Sequence, residues 1–402
     1  MNRVTIMGLA VLVMVGGLAL GVLAAVASAP AASAPAGSGL VAGIGSALPS
    51  VAPTPTPSVA PPSASPTPEP TPSPTATPAP TPVLVPAPLT GQLVSPAAAA
   101  RHPMAVMIDD LSPARPQSGF SSASIVWHAP AEGGIPRYML VFQENIPTDV
   151  GPVRSARYYY IAWAAELKAI YAHSGGSPQA LATLRAQGNG KLVYNADEFR
   201  WGGSFHRIST RFSPHNLYTT GKKLRGIATA QGVRDKAFTW PWTFAPDVSL
   251  AQRPTGGRIQ VAYRANAIRY DYDRRTNTYL RSVTGEKKQI DAATGKRVAP
   301  KNVVVMLMRF GPLNDGSHKF RLEATVVGSG TAWIATNGTT IKGTWKKTSL
   351  ASPTRFLDAA GKPVVLTVGQ TFVQVMQTGT KVTIVAGKAP PPDPFPVALD
   401  PR

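Results

Sequence analysis

The prolines of this 402-residue chain are concentrated at its amino-terminal end, and this distribution most constrains what the chain can fold into. Residues 1–99 contain 19 of the 41 prolines but only two charged residues, Arg3 and Glu69. Because proline fixes φ and lacks an N–H donor, residues 30–98, which are rich in Pro, Ala, Ser and Thr, favour a solvated polyproline II chain. We therefore expect a disordered linker there and a folded region that begins near residue 100.

An uncharged apolar run, residues 4–26, precedes this linker. It is about as long as the ~20 residues that a membrane-spanning helix needs. We expect residues 1–29 to form an uncleaved membrane anchor, with a cleaved secretory signal as the alternative. Arg3 is the only cation on the amino side of the run, so the positive-inside tendency keeps that end in the cytoplasm. The bulk of the chain is then extracytoplasmic, anchored to the cell membrane or secreted.

The rest of the composition excludes several classes of protein. The chain has no cysteine, which excludes a disulfide framework, a cysteine nucleophile, a thiolate zinc site and lipid attachment to cysteine. Its formal net charge is +20, and all of it belongs to residues 100–402 because Arg3 and Glu69 cancel. A basic surface attracts anionic polymers. We do not expect nucleic acid to be the partner, because no recognised nucleic-acid motif is present and the expected location disfavours it.

The first folded segment, residues 100–245, mixes helices and strands. Strands rich in Val, Ile and aromatic residues are expected at 104–108, 124–127, 138–142 and 170–172, with a helix at 155–170. Ser-Pro pairs at 177–178 and 213–214 predict two helix starts, because serine caps a helix and proline suits its first turn. These two helices should run to about Gln187 and Gln231.

The second segment, residues 257–386, has almost no helical period and consists of short apolar runs separated by turns. Asn-Gly at 337–338 is a strong hairpin signal, because a type I′ turn needs positive φ at both central positions. We predict an α+β fold, with a mixed α/β amino-terminal domain and a smaller all-β carboxy-terminal domain. A Pro-rich tail should follow at residues 387–402.

Charged and glycine-rich segments of the first domain fall where strands are expected to end. Asp109 is either a turn residue or a carboxylate directed into a cleft. Glu132 and Arg137 flank two glycines, whose backbone can approach a ligand closely. The pair could then act as an acid or base and an anion clamp, or form a salt bridge across the loop.

Two further segments combine cations with features that attract anions. Arg154 and Arg157 in the GPVRSAR sequence are three residues apart, on one face of the expected helix, where they could hold a carboxylate or phosphate. His173 lies in the HSGGSPQ sequence, at a turn from strand to helix whose free N–H groups form a natural anion site. It is placed for proton transfer, or it is a structural histidine with hydrogen-bonded ring nitrogens.

These segments supply the candidate site residues. The candidate catalytic residues are Asp109, Glu132 and His173. The candidate ligand contacts are Arg115, Arg137, Arg154, Arg157, Ser177 and Gln179. We expect no metal and no cofactor, because the sequence lacks H-E-x-x-H and the phosphate-binding G-x-x-x-x-G-K-S/T motif. G-x-S-x-G, the nucleophile motif of α/β-hydrolases, is also missing.

The same segments, in this order, resemble the YerB-like family of bacterial lipoproteins. The similar stretches of the first segment are MID at 107–109, ARPQSG at 114–119, EGG at 132–134, GPVRSAR at 151–157 and HSGGSPQ at 173–179. Those of the second segment are YDYD at 270–273, NVVV at 302–305, IKGTW at 341–345 and GK at 361–362. The resemblance spans about residues 100–386, and it implies an envelope protein of unassigned activity with two family modules.

This chain departs from the family pattern in two respects. It has no cysteine for a lipid, so a transmembrane helix or secretion would replace the lipid anchor. His128 stands where the pattern leads us to expect an acidic residue, which argues against a mechanism that needs a carboxylate at that position.

Two functional hypotheses follow. In the first, a tethered extracytoplasmic domain binds an anionic polymer or fragment of the cell envelope, such as peptidoglycan. In the second, the protein is a hydrolase or transferase of cell-wall glycan or peptide, with Glu132 or Asp109 as acid or base and His173 assisting. The sequence leaves the choice between binding and catalysis open.

Overall fold

The computed structural model describes residues 82–284, 288–317 and 319–390. The expected anchor at 1–29, most of the linker and most of the tail lie outside the described residues. The described part is a mixed structure, mostly strands with few helices, so the expected combination of α and β structure is confirmed. Within these residues, no helix is both long and apolar enough to cross a membrane.

The helices and strands are numbered along the chain. The α-helices of the described residues are α1 Pro96–Ala99, α2 Tyr158–Ala165, α3 Pro178–Gln187, α4 Glu198–Trp201 and α5 Gly221–Ala230. The strands up to residue 245 are β1 Val85–Pro86, β2 Leu93–Val94, β3 Met104–Asp109, β4 Ile125–Pro130, β5 Pro136–Phe142, β6 Ile170–His173, β7 Tyr194–Asp197, β8 Phe205–Arg207, β9 Leu217–Thr219 and β10 Thr243–Ala245. The later strands are β11 Arg258–Ala262, β12 Ala267–Asp273, β13 Thr278–Val283, β14 Asn302–Met308, β15 Phe310–Pro312, β16 Leu322–Ala324, β17 Gly328–Thr336, β18 Thr339–Lys347, β19 Arg355–Leu357, β20 Val365–Thr367, β21 Thr371–Gln377 and β22 Thr383–Val385.

A ten-stranded sheet joins the two predicted segments. Its strand order is β19-β18-β17-β14-β21-β4-β5-β3-β6-β7, so five neighbouring strands come from each segment. The junction is the parallel pair β21 and β4, in which Phe372 lies beside Val126. Strands β3, β4 and β5 are buried throughout, as expected for strands covered on both faces.

Each face of the large sheet contributes to a separate core, because successive residues of a strand point to opposite sides. Ala105 and Met107 of β3 pack on the face that carries α2, whose Trp163 stacks on Trp127 of β4. The residues between them, such as Val106, pack on the opposite face with α5 and with a four-stranded sheet of order β13-β12-β11-β22. The described part is therefore layered, with the ten-stranded sheet in the middle.

Several local predictions are confirmed. Ser177 caps α3, which ends at Gln187, and its hydroxyl accepts a hydrogen bond from the backbone N–H of Ala180. Asn337 and Gly338 connect β17 to β18, and both have positive φ. The turn chemistry of these short segments was sufficient to predict them.

Other local predictions are wrong. Residues after Ser213-Pro214 do not start a helix, because the apolar run Leu217–Thr219 is used as β9, which pairs with β8. Helix α5 begins only at Gly221, where the Thr220 side chain accepts from the N–H of Lys223. The helix expected at 155–170 is shortened to Tyr158–Ala165. Residues 85–98 belong to the expected linker, yet they contribute to β1, β2 and α1, with Leu89 fully buried.

Candidate functional site

The chemistry-bearing residues of the first segment gather at one edge of the ten-stranded sheet. Strands β3, β6 and β7 are parallel and end there with Asp109, His173 and Asp197. The antiparallel β5 begins there with Arg137 placed opposite Asp109. The carboxyl ends of parallel strands commonly form ligand sites in open sheets, so we call this edge the candidate site.

Asp109 is the centre of the site. Its Oδ1 accepts from the backbone N–H of Leu111 at 3.1 Å, and its Oδ2 lies 2.7 Å from Nδ1 of His215. Arg154 Nε lies 3.0 Å from the same Oδ2, but its N–H is not directed well enough for a hydrogen bond. One buried carboxylate therefore positions both a histidine and an arginine.

Arg154 and His215 each contact Asp109 through one nitrogen and have further polar atoms. Within the described part of the chain, the Arg154 Nη groups and the His215 Nε2 have no hydrogen-bond partner, and both side chains are partly exposed. The backbone N–H of Arg154 donates to the carbonyl of Met107 at 2.9 Å, which fixes the arginine beside β3. The Nη groups can therefore donate to an anion, and the His215 Nε2 can form a hydrogen bond with a ligand.

The loop between β8 and β9 carries His215 to the site. Its base is closed by the N–H of Ile208, which donates to the carbonyl of Asn216. Arg211 ties it to the neighbouring loop by donating to the carbonyls of Ala114 at 2.8 Å and Pro116 at 2.6 Å. Nothing in the spacing of residues 109 and 215 signals this meeting, so sequence reasoning missed His215 as a partner of Asp109.

Glu132 occupies the neighbouring part of the edge and binds two arginines. Its carboxylate accepts from Arg137 Nη2 at 2.6 Å and from Arg157 Nε at 2.8 Å, and Arg157 Nη2 also contacts it. The other Nη groups of these arginines donate to the carbonyls of Ser155 and Ala156. Arg137 and Arg157 are buried, and the single Glu132 carboxylate offsets one of their two positive charges.

The pKa of Glu132 indicates that its carboxylate stays ionised. Burial alone would raise the pKa of Glu132, but the charges of Arg137 and Arg157 outweigh burial and hold it at about 2. Burial, followed by the charge of Arg157, lowers the pKa of Arg137 to about 10. Glu132 therefore suits the structural alternative of a salt bridge, and in this conformation it does not carry a proton to donate.

His173 is fully buried behind the edge. Its Nδ1 lies 2.8 Å from the carbonyl of Gly175, and its Nε2 lies 2.7 Å from Oδ1 of Asn195. Burial lowers its pKa, against the raising effect of Asp197. Both ring nitrogens are occupied, so proton transfer to a ligand would require this arrangement to open.

The remaining predicted contacts lie apart from Asp109. Ser177 is buried as the cap of α3, and the partly exposed Gln179 donates to Glu323 at 3.3 Å. Arg115 pairs with Asp110 at 3.0 Å. Asp110 directly follows β3 and contacts His128 and Asn266, so this pair faces the other side of the sheet. The structure thus brings together five of the predicted site residues, which are Asp109, Glu132, Arg137, Arg154 and Arg157.

Asp110 belongs to a buried polar network between the large sheet and the four-stranded sheet. The network residues are Asp110, His128, Tyr138, Tyr263, Asn266, Tyr270, Arg281, Gln289 and Gln374. Fully buried Arg281 donates to the hydroxyls of Tyr270 at 2.9 Å and Tyr138 at 3.0 Å. Buried polar groups with partners of this quality specify one arrangement of the layers.

His128 is the position where the family pattern led us to expect an acid. Burial lowers its pKa to about 4, although Asp110 raises it, so the imidazole is neutral. Its Nε2 lies 2.9 Å from Asp110 Oδ2, and its Nδ1 lies 3.2 Å from Arg281 Nη2. The neutral ring accordingly donates to the carboxylate and accepts from the guanidinium, which is a structural role.

Exposed aromatic and basic side chains border the candidate site. Phe212 at the tip of the β8–β9 loop is 91% exposed and Phe199 is 81% exposed. A Cβ on Gly175 would lie 3.3 Å from the Phe199 ring, so this ring borders the same edge. Residues 198–216 contain three arginines and one glutamate.

Among the described residues, no group of His, Cys, Asp and Glu is arranged to hold a metal ion.

Known families and proteins match this chain over the folded segments. The profile of the "Protein of unknown function (DUF3048) N-terminal domain" matches residues 89–234, and that of the corresponding C-terminal domain matches residues 259–373. The "Putative lipoprotein YerB" of Bacillus subtilis strain 168 is 34% identical over 266 residues, which cover 65% of this chain and 78% of that protein.

A solved structure supports the same relationship. The crystal structure of the YerB protein from Bacillus subtilis matches with a TM-score of 0.65 and 27% identity, over 74% of this chain and 99% of the solved chain. The chain therefore belongs to the DUF3048 family, and the resemblance to YerB-like proteins is confirmed.

Proposed function

We propose that this protein is an extracytoplasmic envelope protein that binds an anionic cell-envelope ligand through Arg154 and His215. The observation that carries the proposal is the pair of partly exposed cationic and polar groups, fixed by Asp109 and free of other partners among the described residues. A guanidinium with free Nη groups suits a carboxylate or phosphate.

The surroundings of the site fit a sugar-containing polyanion. Phe199 and Phe212 supply exposed apolar ring faces, on which the apolar face of a sugar ring can pack. The arginines of residues 198–216 raise the local concentration of anions. The extracytoplasmic location rests on the apolar and proline-rich residues 1–99 and agrees with the lipoprotein name of the relative.

Binding to purified bacterial cell wall tests the proposal. The full chain and its Arg154→Gln variant are compared at low and high salt, with wall that retains its phosphate polymers and wall from which they have been extracted. We expect Arg154→Gln to weaken binding roughly ten- to a hundredfold, because a charge-assisted hydrogen bond to a ligand is worth about 1.5–3 kcal/mol. The two wall preparations distinguish phosphate from carboxylate ligands.

Arg258→Gln is the matched control. Arg258 is exposed and pairs with one aspartate, Asp271, on the four-stranded sheet, so the variant removes an equal charge elsewhere. Equal losses in both variants would show attraction to net charge alone and would refute a defined site. Unchanged retention of Arg154→Gln would refute it as well.

The alternative function, a cell-wall hydrolase or transferase, is favoured by one observation. Asp109 holds His215 through Nδ1 and leaves Nε2 free, which is how a carboxylate orients a histidine that acts as general base. Release of soluble fragments from cell wall by the wild type, and its loss in His215→Gln with wall binding retained, would establish catalysis. Absence of any release by the wild type would leave the binding function.

A further inference from the structure

A second cavity lies along the same edge of the ten-stranded sheet as the candidate site. Strands β3 and β4 are both antiparallel to β5, and β4 is parallel to β21, so β3, β4 and β21 all end at this edge. A cavity of about 470 Å³ lies at the ends of β4 and β21, with Pro130 and Gln377 in its lining. We call it the edge cavity.

The loop at residues 132–134 connects the candidate site to the edge cavity. Its first residue, Glu132, binds the two buried arginines of the candidate site, and both glycines line the edge cavity. The carbonyl of Gly134 accepts from the N–H of Ala265 at 3.3 Å, which fixes the turn between β11 and β12 against this loop. A Cβ on Gly133 would have no neighbour closer than 4.0 Å, so a ligand has room to approach the backbone of Gly133 closely.

The lining of the edge cavity combines aromatic rings with a cation. Tyr263 is buried and fixed in place, because its hydroxyl donates to the carbonyl of His128 at 2.7 Å. Phe320 adds a second ring, and Arg264 adds an exposed guanidinium that has no ion pair or hydrogen bond among the described residues. Aromatic rings beside a guanidinium with free N–H groups suit a sugar ring that carries a carboxylate or phosphate.

The backbone of Phe320 supports a binding role for its ring. The side chain is 82% exposed, so it contributes little to the core. Its φ is +49°, in the left-handed region that bulky residues rarely adopt because of steric strain. Residues in such conformations are concentrated at functional sites and ligand clamps, and Phe320 lies in the lining of a cavity.

We propose that the edge cavity is a second subsite for the ligand of the candidate site, and that this ligand is an anionic, sugar-containing oligomer that reaches from Arg154 to Arg264. The inference rests on the proposed function and adds the length of the ligand to it. The strand order is β21-β4-β5-β3, and at ~4.8 Å between neighbouring strands the two subsites are roughly 10–14 Å apart. A single sugar can therefore occupy one subsite, whereas a longer fragment occupies both. Once one end is bound, the other end has a high effective concentration at its own subsite.

The dependence of affinity on fragment length tests the second subsite. The full chain is titrated with two pairs of soluble probes, each with a short and a long member. N-acetylmuramic acid and peptidoglycan glycan strands carry carboxylates, whereas glucose phosphate and a solubilised phosphate-containing wall polymer carry phosphates. We expect Arg264→Gln to weaken binding of the long member of one pair roughly tenfold, because one charge-assisted contact is lost. Binding of the short member should weaken less than about twofold, because the candidate site still binds a single sugar. The pair that responds identifies the anion.

Arg185→Gln is the matched control. Arg185 is exposed, lies in the last turn of α3 and has no ion pair among the described residues, so the variant removes an equal charge from a surface that lines neither subsite. Phe320→Ala is the second variant, because the exposed ring can be removed without opening the core. It should also weaken binding of the long member and spare the short one.

The outcomes separate this inference from the proposed function. If Arg264→Gln binds the long probes as tightly as Arg185→Gln does, while Arg154→Gln binds them more weakly, the second subsite is refuted and the proposed function stands. Equal losses of the short and long members in Arg264→Gln would also refute a ligand that spans both subsites. If the wild type binds no probe, both proposals are refuted.

Discussion

At the scale of single residues, removal of Glu132 should destabilise the fold. Glu132 pairs with the buried guanidinium groups of Arg137 and Arg157 and offsets one of their two charges. Removing one partner of a buried ion pair leaves an uncompensated charge, which costs about 3–5 kcal/mol. Because Glu132 is 26% exposed, we expect the lower end of this range for Glu132→Gln in urea unfolding.

Glu323→Gln is the control for this loss. Glu323 is exposed, and its carboxylate accepts a hydrogen bond from Gln179 at 3.3 Å. Its substitution should therefore change the free energy of unfolding by less than about 0.5 kcal/mol. Equal effects of the two variants would contradict the role assigned to Glu132.

The same carboxylate predicts a pH dependence. Its pKa is about 2 in the folded protein against an ordinary 4.5, so the unfolded chain takes up the proton first as the pH falls. The stabilisation from Glu132 is therefore complete above pH 4.5 and is lost between 4.5 and 2. Urea unfolding across this window should show a smaller decline for Glu132→Gln than for the wild type, and parallel declines would refute the assignment.

Sequence reasoning reached part of this site and missed part of it. Asp109 and Arg137 could be placed together, because both lie where strands end and those ends share an edge. The meeting of Asp109 with His215 depends on a loop that returns across more than a hundred residues, and no local pattern encodes such a contact. The pairing of Glu132 with two buried arginines likewise depends on burial, which a single sequence does not display.

At the scale of elements, the cap of α3 separates two roles for Ser177. Its hydroxyl satisfies the N–H of Ala180, so Ser177→Ala should destabilise the protein by about 0.5–2 kcal/mol in urea unfolding. Ser177→Asp should retain the cap and the stability. If Ser177→Ala instead left stability unchanged and weakened binding to cell wall, the residue would be a ligand contact.

The two Ser-Pro segments show why element prediction succeeded only in part. Both offer the same local signal, but after Ser177 the chain has helical spacing, whereas after Ser213 it carries the apolar stretch Leu217–Thr219. That stretch pairs with β8 and forms a strand. Hydrogen bonding between distant segments, and not the local Ser-Pro signal, therefore determines its secondary structure.

At the scale of the whole molecule, the shared sheet predicts that the two family segments depend on each other. If the chain is divided within residues 246–257, the first half exposes the buried edge of β4 and the second half that of β21. Exposed apolar edges associate or aggregate. We expect each half alone to be insoluble or unfolded, and the co-expressed halves to co-purify as a folded complex.

Circular dichroism measures whether the separate and co-expressed halves are folded, and size-exclusion chromatography measures whether they form a complex. Two halves that are each soluble and folded and do not bind each other would contradict this mutual dependence.

The sequence indicated two segments through their different periodicity. The pairing of β21 with β4 joins residues about 250 positions apart, and periodicity does not reveal such a pairing.

The end of β3 has a further consequence. Asp109 turns toward the open edge, while its neighbour Asp110 is held by His128, Asn266 and Arg115 on the opposite face. If a ligand binds Arg154 and His215 as proposed, it meets a strand end whose next residue is already held by three partners. We then expect association without a slow conformational step and with little affinity lost to rearrangement.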